Sequence, residues 1–77
     1  MATITIVKKG SGIRVRAITT GGYGSQEGYT DSKGMVRFND SANRTQIQVW
    51  SPGGSRWVNT GDVLSSLRGD HDCYMPF

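Results

Sequence analysis

The chain has 77 residues, nine lysines and arginines against six acidic side chains, a net charge of +3 and a single cysteine. That length suits one domain with a modest core. The lone Cys73 excludes an internal disulfide framework and a cysteine-rich zinc site. No stretch approaches the roughly 18 apolar residues of a membrane helix, and "MATITIVKKG" places its apolar run before its lysines, the reverse of a secretory leader. The expectation is a cytoplasmic protein without membrane contact, with a mild basic bias that suits an anionic partner without requiring one.

Eleven glycines, roughly twice the usual share of about 7%, favour short strands and turns over helices. "ATITIVK" sets Ile4 and Ile6 on one side and Thr3, Thr5 and Val7 on the other, a β-branched strand. "KKGSG" reads as a turn. "IRVRAIT" then alternates Ile13, Val15 and Ala17 against Arg14, Arg16 and Ile18, so the first two strands are expected to form a hairpin. "TGGYGSQEG" is loop-like, and a short third strand is predicted through Gln26 to Thr30. A tight turn at Asp31-Ser32-Lys33-Gly34 leads into "MVRFN", with Val36 and Phe38 inward and Met35 and Arg37 outward. "DSANR" is a further turn. "TQIQVWS" points Ile47 and Val49 inward and Gln46, Gln48 and Trp50 outward, and "RWVNT" reads as a sixth strand. "GDVLSSLRGD" fits either a short helical turn or a loop before a last strand at "DCYMPF". The pattern predicts an all-β fold: one small antiparallel β-sandwich domain over residues 1–77, with six or seven short strands and at most one helical turn near residues 62–68.

The succession "TITIVKKGSGIRVRA", "GYTDSKGMVRF" and "TQIQVW" resembles the transthyretin-like or carboxypeptidase-regulatory-like β-sandwich domains, related in style to Cna-B-type surface modules. Thr30, Asp31, Gly34, Val36 and Phe38 carry the resemblance, which covers roughly residues 2 to 50. It implies a structural, adhesive or accessory module with no shared catalytic residues. The urate-pathway hydrolase with the transthyretin fold relies on several histidines, whereas this chain has only His71.

The chemistry-bearing residues are few. The Gly-rich segment lacks the following helix that a phosphate cradle requires. Asp70, His71, Asp72 and Cys73 are potential metal ligands, but neighbours on a strand face opposite ways and no second histidine or cysteine completes a zinc shell. Neither a metal, a cofactor nor an enzymatic activity is therefore expected, and Cys73 reads as a small buried hydrophobe. Aromatic residues suggest contact with a protein partner through Tyr23, Tyr29, Trp50, Trp57 and Phe77. An alternative is single-stranded nucleic-acid binding by an Arg14, Arg16, Arg37 and Trp50 face, in which cations track phosphates and a ring stacks a base. A third reading is a phage or mobile-element accessory protein that modulates a host enzyme. Sheet edges in so small a sandwich also offer a route to self-association.

Overall fold

A computed structural model describes residues 1–19 and 24–77. Seven strands follow in chain order: β1 (Ala2–Ile6), β2 (Arg14–Thr19), β3 (Ser25–Tyr29), β4 (Met35–Phe38), β5 (Thr45–Ser51), β6 (Arg56–Leu64) and β7 (Asp70–Cys73). They make a three-stranded sheet, β4-β1-β7, and a four-stranded sheet, β3-β2-β5-β6. The inward residues of the two sheets meet in one core of Ala2, Ile4, Ile6, Val15, Ala17, Val36, Phe38, Ile47, Val49, Leu67 and Cys73. The alternation predicted for β2, β4 and β5 matches their burial. Among the described residues there is no helix, and hence none long and apolar enough to cross a membrane.

The expected hairpin of the first two strands does not form. β1 pairs with β4 and β7, while β2 pairs with β3 and β5. Residues 7–13 carry the chain from one sheet to the other. The crossing lets Ile4 and Ile6 pack on Val15 and Ala17 from opposite sides of the core, whereas a hairpin would align both sets on one sheet face. Among the described residues one strand pair departs from antiparallel order: β7 runs parallel to β1, with Ile6 opposite Cys73.

The corner after β3 fastens the two sheets. Thr30 is buried. Its hydroxyl donates to the Gly10 carbonyl at 2.7 Å and accepts from the Ile13 amide at 3.0 Å, tying the crossover loop to the corner. Asp31 caps the turn through Oδ1, which accepts from the amides of Lys33 (2.9 Å) and Met35 (3.1 Å). Those two backbone donors hold the Asp31 carboxyl below its ordinary range, with Arg37 and Lys33 adding smaller attractions. Gly34 has φ +78°, and a Cβ there would stand 2.5 Å from the Lys9 carbonyl oxygen and 2.7 Å from that of Ile6. The Ile6 amide donates to the Gly34 carbonyl at 2.8 Å.

Two edges carry side-chain substitutes for missing strand partners. The Gln26 amide bridges from β3 to the end of β4, accepting from the Asn39 amide at 2.8 Å and donating to its carbonyl at 3.0 Å. On β6, Thr60, Gly61 and Asp62 lie opposite the single Ile47, since Gln46 faces Val63 and Gln48 faces Asn59. Within this bulge Thr60 Oγ1 donates to the Ile47 carbonyl at 2.8 Å. The Gly61 and Asp62 amides donate to Asn59 Oδ1 (2.9 Å) and Thr60 Oγ1 (3.2 Å). The bulge bends the edge and consumes donors that a neighbouring strand would otherwise engage. It also extends β6 to Leu64, where the sequence allowed a helical turn.

Candidate functional site

The outer face of the four-stranded sheet carries a ladder of arginine and tryptophan. Strand alternation turns Arg14 and Arg16 outward on β2, Trp50 outward on β5 and Trp57 outward on β6. The register supplies the rest. Val15 faces Val49, which sets Arg14 beside Trp50, and Trp50 faces Trp57 directly. The two indoles meet edge to face, with centroids 5.4 Å apart and planes at 70°. The Arg14 guanidinium carbon lies 5.3 Å from the Trp50 centroid and 5.0 Å from that of Trp57. Arg16 lies 4.3 Å from the Trp57 centroid. Both arginines are thus held by ring faces, as cation–π attraction favours.

Polar neighbours complete the arrangement. Arg14 Nη2 donates to Glu27 Oε2 at 2.8 Å, and that charge-assisted bond is the main reason its pKa is raised. Arg16 Nε donates to Gln48 Oε1 at 2.8 Å. The ladder is therefore preorganised, with each guanidinium fixed by a ring and an acceptor.

A cleft of about 350 Å³ opens at one end of this ladder, lined by Gly12, Ile13, Arg14, Tyr29, Trp50, Pro52, Met75 and Phe77. Four chain segments converge there: the crossover loop, the end of β3, the turn after β5 and the segment after β7. Met75 packs against the core from one side, while Tyr29 and Phe77 keep 66% and 57% of their surface exposed. Large apolar area is thus presented to solvent beside a cation.

Of the residues expected to bind a protein partner, Tyr29, Trp50 and Phe77 line the cleft, and Trp57 adjoins it through the ladder. Tyr23 lies outside the described residues. Of the expected nucleic-acid face, Arg14, Arg16 and Trp50 come together and Arg37 does not. Arg37 sits on β4 in the other sheet, with Nη1 3.9 Å from Asp31 Oδ2. Outwardness on a strand is readable from alternation, but the sheet a strand joins is not. Glu27, Gln48, Pro52 and Met75 belong to the site without being among the contacts expected from the sequence. A signal for Glu27 existed, since pairing "IRVRAIT" with "SQEGY" as antiparallel neighbours sets a carboxylate among the arginines.

The four candidate ligands near the chain's end are dispersed by the strand pleat. Asp70 and Asp72 are exposed, and Cys73 turns into the core. A His71 ring nitrogen lies 2.9 Å from the Arg68 carbonyl oxygen. Burial, reinforced by Asp62, pushes the Cys73 thiol up to about 12, so it stays protonated and unreactive at neutral pH. No family model, no curated protein and no solved structure matches the chain.

Proposed function

We propose that this protein is a non-enzymatic binding module that engages a protein partner through the cleft and the adjoining arginine–tryptophan ladder. The observation that carries the reading is the convergence of Tyr29, Trp50 and Phe77 with Arg14 around one concave site. Aromatic and arginine anchors around a partly desolvated pocket are the composition that dominates protein–protein binding energy. The fixed ladder adds to this, because side chains already immobilised lose little entropy on association. A role as a small accessory or adhesive module, as in the transthyretin-like domains, agrees with the sheet-crossing corner at Thr30–Gly34.

The Arg/Trp face also suggests single-stranded nucleic acid, but the geometry favours it less. The guanidinium groups of Arg14 and Arg16 already lie over the indoles, where a base would stack, and Glu27 neutralises Arg14.

The test compares affinity capture from host extract by the wild type, by Tyr29→Ala/Phe77→Ala and by Arg37→Ala. Both cleft rings are more than half exposed, and Arg37 samples the opposite face. A partner retained by wild type and Arg37→Ala but lost by the cleft variant supports the proposal. Equal retention by all three variants refutes it.

A further inference from the structure

We propose that the cleft binds an extended acidic segment of a partner protein, seating one bulky apolar side chain between Tyr29, Trp50 and Phe77. This rests on the protein-binding reading and specifies the chemistry of the partner. The size of the site sets the anchor. A cleft of about 350 Å³ is at the small end of ligand pockets, which span roughly 300–1,000 Å³, and suits a single side chain. Ile13, Pro52 and Met75 make its remaining wall largely apolar.

Charge sets the flanks. β1 ends at Ile6, and Lys8 and Lys9 follow it in the loop that reaches the cleft at Gly12. Lys33 lies in the turn stitched to the end of β1 through the Gly34–Ile6 hydrogen bond. Across the cleft, Arg56 opens β6 opposite Ser51, at the base of the turn containing Pro52. Beside Arg14, which Glu27 neutralises, these four of the chain's nine cationic side chains stand at this end of the sandwich. Lys8, Lys9, Lys33 and Arg56 are exposed.

At the same end Glu27 accepts Arg14, Asp31 accepts two backbone amides, and Asp72 stands exposed on β7 opposite Thr5. Asp40 and Asp70 lie at the far end, where β4 finishes and β7 begins. With Glu27 set against Arg14, the exposed Lys8, Lys9, Lys33 and Arg56 outnumber Asp31 and Asp72 at the cleft's end of the sandwich. Exposed cations at this end steer an acidic segment toward the site and reject a basic one.

Peptide titration monitored by tryptophan fluorescence tests the assignment, using three probes. One is an acetylated, amidated hexapeptide with one phenylalanine flanked by glutamates. The second replaces every glutamate by glutamine, and the third is oligodeoxythymidylate. The acidic peptide is expected to bind at least about tenfold more tightly than the glutamine peptide, and to weaken as salt rises from about 50 to about 300 mM. Lys9→Glu/Arg56→Glu, both at exposed positions, should remove most of that preference while keeping residual binding of the glutamine peptide. Phe77→Ala should weaken both peptides.

Equal affinity for both peptides overturns the acidic assignment and leaves the protein-binding reading standing. Binding of the oligonucleotide but of neither peptide overturns both. Absence of all binding up to about 1 mM overturns the inference alone, because the capture experiment tests the broader reading independently.

Discussion

Gly34 offers the most quantitative check on how the two sheets are joined. Replacing it with alanine imposes two costs. The first is the positive φ of +78°, a conformation that costs an ordinary L-residue about 1–2 kcal/mol. The second is steric, because the new methyl group would lie 2.5 and 2.7 Å from two backbone carbonyl oxygens, those of Lys9 and Ile6. Neither oxygen can retreat alone, since each belongs to a peptide fixed in the crossover. Relieving the collision separates the corner from β1 and breaks the Ile6–Gly34 hydrogen bond, with an unsatisfied group costing a further 1–3 kcal/mol or so. The expected loss is about 2–5 kcal/mol, a large share of the roughly 0.05–0.15 kcal/mol per residue that domains possess.

Gly69 is the matched control. It has φ +71°, its carbonyl likewise accepts a β1 amide (Thr3, 2.9 Å), and a Cβ there meets nothing within 4 Å. Gly69→Ala should therefore lose only the conformational part. Urea unfolding followed by tryptophan fluorescence measures both variants. If the two show the same loss, the tight approach of Gly34 to β1 is not a constraint on the fold, and the reasoning fails.

Thr30→Val preserves shape and removes both hydroxyl bonds, leaving the Ile13 amide without its side-chain acceptor. The expected cost is about 1–3 kcal/mol, read from the same unfolding curves, and a loss below a few tenths would show that the loop does not depend on this clasp. Stability should also fall at both pH extremes. Asp31 has a lowered folded pKa, so its contribution is complete above the unfolded carboxylate value and is lost as pH falls through the folded one. Cys73 has a raised one, so its contribution is complete below the unfolded thiol value near 8.5 and disappears as pH rises toward about 12. Asp31→Asn should flatten the acid limb and Cys73→Ala the alkaline limb, while unchanged limbs would assign the pH dependence to other groups.

The sequence conveyed which way side chains point far better than which strands pair. In "IRVRAIT" and "TQIQVWS" the alternation alone separated Val15, Ala17, Ile47 and Val49 from Arg14, Arg16 and Trp50, and burial follows it. Pairing depends on contacts between segments distant in the chain, and local grammar misleads there. Two strands around "KKGSG" look like a hairpin, yet the same glycine-rich turn serves equally to pass between sheets. Arg37 was misplaced relative to the other arginines for this reason. The β6 bulge escaped notice because "NTGDVL" breaks alternation by inserting extra residues opposite Ile47, and a broken period cannot be told from a strand's end.

The candidate site depends on the same distinction. Each aromatic at the cleft comes from a different segment: Tyr29 from β3, Trp50 from β5 and Phe77 from the chain after β7. No local spacing could have joined them. The sheet register brings the first two to either side of Arg14, since β2 lies between β3 and β5. The parallel addition of β7 to β1 brings the third, because only that direction delivers residues 74–77 to the end where the crossover loop and the turn after β5 also lie. An antiparallel β7 would have left Met75 and Phe77 at the opposite end, beside Asp40. The one pair that departs from antiparallel order is thus the one that completes the cleft.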